Sequence, residues 1–279
     1  MKSFFKNVLS TIVGMVLSVI VIILLLMGIV SLVLSSINNE VIVKENSILE
    51  INLSELSVVE RTSENPFDNL SFSGDMTKTI ALKQVLDNIE KAKTDKNIKA
   101  IYLNTSFVNA GISQIEEIRN KLLEFKLSGK PIIAYAEVYS QAAYYLASVA
   151  NKIYLNPEGI IEIKGLSASI MFYKGLLDKL DIDVQIIRHG KFKGAVEPFI
   201  LDKMSKENRE QIQLLLNSVA DNIMDSIANQ RGLTLSEIQR HADNLSLENA
   251  KSCLNLNYVD ALLYQDQLED TLKALAGSE

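Results

Sequence analysis

Between Lys6 and Glu40 the chain carries no charged residue, and the run from Val8 to Leu34 is built from Val, Ile, Leu, Met, Gly, Ser and Thr alone. A helix through that run measures about 40 Å at ~1.5 Å per residue, enough to cross the hydrocarbon core of a bilayer with some tilt. The same residues also open like a secretory signal, with Lys2 and Lys6 as a basic start and Ser35 and Ser36 beyond the apolar stretch. A signal's apolar core is ordinarily only ~7–15 residues long and ends on an A-x-A-like site, which is not found here. An uncleaved anchor over residues 1–36 is therefore expected. Lys2, Lys6 and the terminal amine precede the span and Glu40 follows it, so the N-terminus is expected in the cytoplasm. This is the pattern of a single-pass protein of the cytoplasmic (inner) membrane, with its main part on the periplasmic or extracytoplasmic side.

Residues 37–46 read as a connector, and residues 47–279 as one folded domain. A chain of 279 residues with 48% hydrophobic content has ample material for its core even after the anchor is set aside. The net charge of −6, with no basic run beyond short pairs, gives no support for nucleic-acid binding. One cysteine, Cys253, excludes an internal disulfide framework and a cysteine-based metal site, and reads as a small buried residue in helical text. With only His189 and His241 there is no His-rich metal site either. Neither a metal nor a cofactor is implied.

From Ser47 onward, strand and helix patterns alternate. Leu49, Ile51 and Leu53 share one face of a first strand, and residues 54–77, polar and broken by Pro66 and Gly74, read as a long exposed loop. Ile80, Leu82, Val85, Leu86 and Ile89 mark a helical face, followed by a buried strand at Ala100–Asn104. Ile112, Ile115, Ile118, Leu122 and Leu123 mark a second helix, ended by Gly129 and Pro131, and Ile132–Val138 is the next strand. A short helix over Gln141–Ala150, the apolar runs KIYLN and IIEIKG, a helix over Ala168–Leu180 and a strand at Val184–Arg188 complete the series. A long helix then starts at Ser205, a capping residue with Glu207 in the first turn, carries Ile212, Leu215, Leu216, Val219, Ile223 and Ile227 on one side, and stops at Gly232. Three short helical segments follow. Near-continuous apolar strands separated by amphipathic helices specify an α/β fold with a mainly parallel sheet.

The common hydrolase, phosphate-loop, zincin and dinucleotide fingerprints are absent. The segment RHGKFKGAVEPFI, Arg188 to Ile200, places two lysines between an apolar strand-like run and a long helix. A lysine titrating near ~10.4 cannot accept a proton at neutral pH, whereas apolar surroundings disfavour the cation and turn the amine into a base. Phe192, Val196 and Phe199 offer such surroundings to Lys191 and Lys193, and Gly190 and Gly194 allow close approach of backbone or substrate. Glu197 stands ready to orient or partner a lysine. His189 reads as a partly exposed loop residue and His241 as a surface residue.

This segment, extended to FYKGLLDKLDIDVQIIRHGKFKGAVEPFI (Phe172–Ile200) and taken with YSQAAYYLASVANKIYLNPEG (Tyr139–Gly159), resembles the signal peptide peptidase A (protease IV) family. More narrowly, it is similar to the N-terminal half of that family's long, tandem-repeat form. The resemblance implies a ClpP/crotonase fold, ring-like homo-oligomers and a membrane serine protease that degrades cleaved signal peptides and other apolar peptides with a Ser-Lys dyad. By the same resemblance Lys193 is the general base, while Lys191 falls where the family does not require lysine.

The nucleophile does not carry over. Where the catalytic repeat of the family has serine before Gly-Gly-Tyr, this chain reads Gln141-Ala142-Ala143-Tyr144, which leaves Ser140, one position off, as the candidate nucleophile within this chain. The family's oxyanion-hole segment also departs, reading Thr105-Ser106-Phe107-Val108-Asn109-Ala110-Gly111 with only Gly111 kept. These departures agree with an N-terminal repeat that supplies the lysine while a serine-bearing second half supplies the nucleophile. The expectation is half an active site, inactive alone, with the second half following Glu279 or encoded separately. Two other classes stay open: a non-catalytic scaffold subunit of a peptidase oligomer, and a crotonase-type acyl-CoA enzyme, against which the membrane span argues.

Overall fold

A computed structural model of the chain describes residues 2–37, 42–62, 78–187 and 194–277. It divides into two units, Met1–Lys44 and Glu45–Glu279. The first unit is helix α1, Lys2–Ile37. Within it Ser3–Ser31 has a mean hydropathy of 3.2, and the helix is long and apolar enough to cross a membrane.

The second unit is built on a five-stranded, wholly parallel sheet. Its strands are β1 (Ser47–Ile51), β4 (Ile98–Asn104), β5 (Ile132–Tyr139), β6 (Lys152–Ile161) and β7 (Ala261–Leu262), lying side by side in that order. A separate parallel pair joins β2 (Leu56–Val59) to β3 (Lys78–Ala81). Helices α2 (Leu82–Thr94), α3 (Ile112–Lys126) and α4 (Gln141–Ala147) connect successive sheet strands. The β/α alternation read from the sequence is the observed one.

Strand periodicity places the core. β4 and β5 pair Ile101 with Ile132, Tyr102 with Ile133 and Leu103 with Ala134, so side chains alternate between the two faces. Tyr102, Ile133 and Tyr135 share one face, which is covered by Leu268 of α10 (Gln265–Ala276). Ile101, Leu103, Ile132 and Ala134 occupy the other and are as deeply buried as the stripes of α2 (Leu82, Val85, Ile89) and α3 (Ile115, Ile118, Leu122, Phe125). Burying an aliphatic side chain of this size contributes about 1.5–3 kcal/mol.

After β6 come the short helices α5 (Lys174–Lys179) and α6 (Glu197–Ile200), then α7 (Lys206–Arg231), α8 (Leu235–Asp243) and α9 (Ala250–Asn255). α7 begins and ends where its caps require. The Ser205 hydroxyl accepts from the Asn208 amide, and Gly232 takes the left-handed conformation at φ 68°. At its far end Arg231 donates to the Asn257 carbonyl at 2.8 Å and to Asp260 at 3.2 Å, and the same Asp260 carboxylate accepts from the amide of Ile153 in β6.

Five expectations are corrected. Leu56–Val59, inside the expected loop 54–77, is strand β2 with Val58 buried, and it drew no signal because its partner lies beyond residues 63–77, which fall outside the described residues. Ile80 belongs to β3 and not to the helix that follows. KIYLN and the first two residues of IIEIKG, Ile160 and Ile161, share a single strand, β6, and Glu162–Gly165 lie beyond its end. Opposite it Ala136 pairs with Leu155 and Val138 with Ile160, so Asn156–Gly159 are accommodated in a bulge. Gly159 is required there, since a Cβ would collide with the Glu137 carbonyl oxygen and come within 2.7 Å of Leu155 Cδ1. The helix expected over Ala168–Leu180 shortens to Lys174–Lys179, and Val184–Ile187 forms no strand because no neighbouring strand pairs with it among the described residues. Apart from these, β7, for which no expectation was formed, is an edge strand of only two residues, below the length at which periodicity is visible.

Candidate functional site

The C-terminal ends of parallel strands converge on one edge of the sheet, the usual position of a ligand site in an open α/β sheet. Here β1 runs into Asn52–Ser54, β4 into Thr105–Gly111, β5 into Ser140 and β6 into Glu162–Lys164. These ends are bound to one another. The Ser140 amide donates to the Ser106 carbonyl at 3.0 Å, the Glu162 amide to Tyr139 at 2.8 Å, and the Lys164 amide to Gln141 Oε1 at 2.7 Å.

Ser140 is the N-cap of α4, and its Oγ accepts from the Ala143 amide at 3.3 Å. The hydroxyl thus points along the first turn of its own helix, the usual employment of serine at such a position. Gln141, at the position where the family resemblance puts the nucleophile, offers an amide side chain engaged with Lys164. Among the described residues neither has a base as a hydrogen-bond partner.

The Thr105–Gly111 segment holds a pair of converging backbone donors already filled from within. Ser106 N and Phe107 N both donate to Ser54 Oγ, at 2.9 and 3.3 Å. Two amides aimed at one oxygen is the geometry of an oxyanion hole, but the oxygen here belongs to the protein. Thr105 beneath it is buried, its Oγ1 donating to the Ile51 carbonyl at 3.2 Å and accepting from the Leu53 amide at 3.3 Å. Gly111 survives for another purpose, as the residue before α3 whose amide donates to Gln114 Oε1. The role of Ser54 had no sequence signal, since it sits in polar text 52 residues from Ser106.

Lys193, the expected base, lies outside the described residues, as do Lys191, Phe192, His189 and Gly190. The chain re-enters at Gly194, opening a single 3₁₀ turn, Gly194–Val196, that leads into α6. Glu197 is buried at 3% exposure. Its Oε2 accepts from Ser205 N and from Asn208 Nδ2, each at 3.0 Å, and its Oε1 accepts from Ser205 Oγ at 2.5 Å. Phe199 stacks on Tyr173 at 5.9 Å between ring centroids, and the Tyr173 amide donates to the Pro198 carbonyl at 2.7 Å.

The two other chemically notable side chains are structural. Cys253 is fully buried as expected, and burial pushes its thiol up to about 11, away from thiolate chemistry. His241 corrects the expectation of a surface residue. It is buried on α8 with Nδ1 at 3.1 Å from Tyr258 Oη, and desolvation holds its imidazole below the ordinary histidine range. Among the described residues no group of three or more His, Cys, Asp or Glu is placed to hold a metal ion.

Residues 124–279 match peptidase family S49. The chain is 36% identical over 208 residues to Protease 4 of Salmonella typhi, a match covering 72% of this chain and 34% of that protein. It is 37% identical over 166 residues to Protease 4 of Haemophilus influenzae, covering 59% and 27%. To the chloroplastic serine protease SPPA of Arabidopsis thaliana it is 28% identical over 200 residues, covering 72% and 29%. The chain thus spans about a third or less of the length of these curated relatives.

Proposed function

The chain belongs to peptidase family S49, the signal peptide peptidase A family, whose ClpP/crotonase-like α/β architecture it shares, and from that premise we propose that it is the base-bearing part of a membrane-anchored Ser-Lys peptidase. Neutral Lys193 takes the proton of a serine hydroxyl, the serine oxygen attacks the peptide carbonyl, and the resulting lysinium protonates the leaving amine. The serine comes from a second S49 repeat, in the same polypeptide or encoded separately, and the repeats assemble into an oligomer. The substrates are apolar peptides such as cleaved signal peptides, met on the periplasmic side of the membrane where α1 anchors the chain.

One observation carries the division of labour. Every group that a self-contained S49 site would need beside the lysine has another task here: Ser140 caps α4, Gln141 holds Lys164, and Ser54 fills the paired amides of Ser106 and Phe107. An idle nucleophile and an open pair of donors are what acyl transfer requires.

The test is cleavage of a signal-peptide-like substrate by the full chain, alone and together with a serine-bearing S49 repeat. The expected result is turnover only in the combination, abolished by Lys193→Ala. Robust cleavage by the 279-residue chain alone, lost in Ser140→Ala, overturns the division of labour. Turnover of the combination that survives Lys193→Ala favours a scaffold role.

A further inference from the structure

We propose that Glu197, Ser205 and Asn208 form a buried clamp that positions the lysine-bearing segment by seating Gly194 on the first turn of α7. The inference rests on the assignment of Lys193 as base, and it makes Glu197 a positioning residue that acts through Ser205 and Asn208.

The geometry has three components. First, Glu197 is 3% exposed, and among the described residues Ser205 donates two hydrogen bonds to its carboxylate and Asn208 one. A buried carboxylate is tolerated when donors surround it, and then it is costly to disturb. It also lies at the start of α7, where unpaired amides favour negative charge. Second, the Asn208 amide held by Glu197 lies directly against Gly194. A Cβ on Gly194 would stand 2.5–2.6 Å from Asn208 Cγ, Oδ1 and Nδ2, closer than any real contact. No residue other than glycine can follow position 193 while Asn208 keeps this place. Third, Ser205 serves two partners, donating its hydroxyl to Glu197 while that same oxygen accepts from the Asn208 amide, so clamp and helix cap are one structure. Gly194 is bonded to residue 193, so fixing it restricts where the lysine amine can reach.

The experiment uses the full chain in detergent with two measurements. Lys193 is acylated with an amine-reactive reagent near pH 8, its rate taken relative to exposed Lys203 by mass spectrometry. Hydrogen–deuterium exchange is followed over Gly194–Leu201, with α8–α10 as the check that the domain is folded. In the unsubstituted chain Lys193 is expected to react faster than Lys203, because a depressed pKa leaves more neutral amine. Glu197→Ala and Gly194→Ala are each expected to lower that ratio about 10-fold and to speed exchange over Gly194–Leu201 by a similar factor. The double variant Gly194→Ala/Asn208→Ala, which removes the colliding amide, is expected to recover part of the ratio. Recovery separates positioning from general destabilisation, and Gly194→Ala keeps the test open should Glu197→Ala not fold.

A fast Lys193 whose ratio is unchanged by either substitution overturns the clamp and leaves the base assignment standing. A ratio that rises in Glu197→Ala makes Glu197 a charge partner of the lysine, and the clamp is wrong. A Lys193 no faster than Lys203 in the unsubstituted chain sinks the base assignment. The clamp then stands or falls on the exchange of Gly194–Leu201 alone.

Discussion

The central sheet and the segment from Leu166 to Ile187 are written in the same apolar alphabet and reach different states. In β4 and β5, Ile101, Leu103, Ile132 and Ala134 are at or near zero exposure, each strand flanked by another and covered by a helix. In the later segment Met171, Leu176, Leu180 and Ile182 are all exposed, and Ile187 is fully so. Hydrophobicity states a preference for burial, and only a neighbouring strand or helix fulfils it. Val184–Ile187 is a strand-like sequence that meets no strand among the described residues.

Four substitutions or conditions put this contrast under strain. The largest effect is expected from Leu122→Ala in α3, where the side chain is fully buried. Unfolding in denaturant is expected to lose about 2–5 kcal/mol, and a loss near zero would mean that this layer is not the core. Ser140→Ala removes the cap of α4 and is expected to cost about 1 kcal/mol without altering turnover by a complete S49 assembly, which separates cap from nucleophile.

A smaller, pH-dependent effect should come from His241. Burial lowers its folded pKa, so between that value and the ordinary ~6.5 of the unfolded chain the unfolded state binds more protons. Stability therefore falls as pH drops through this window and recovers as pH rises. His241→Phe is expected to flatten that part of the stability profile, and an unchanged profile would relocate the effect to other groups. The smallest effect is expected from Ile187→Ser, within about 0.5 kcal/mol of the unsubstituted chain. A loss as large as that of Leu122→Ala would erase the distinction between the two regions.

What could be read in advance follows the same division. Helix α1, the β/α alternation and both ends of α7 were legible because each is specified locally, by an uninterrupted apolar run, by periodicity, or by Ser205 and Gly232 as stops. β2 and β7 are four and two residues long and exist through partners distant in sequence. His241 looked like a surface residue on a charged helix, and its burial depends on Tyr258, which lies in a different segment. At the site, the resemblance of Gly190–Phe199 pointed to the lysine loop, but it could not tell that Ser54 would close the Ser106 and Phe107 amides, nor that Glu197 would bind Ser205 and Asn208. These are meetings of side chains that no spacing encodes.

Helix α7 gives the lysine loop a reach that its short sequence conceals. Its 26 residues span about 39 Å at ~1.5 Å per residue. One end grips Glu197, and the other is pinned through Arg231 to Asp260, whose carboxylate also holds β6. A single helix thus serves as the common footing of two distant parts of the domain, the turn that opens at Gly194 and the strand β6, because Glu197 is held at its first turn and Asp260 at its last.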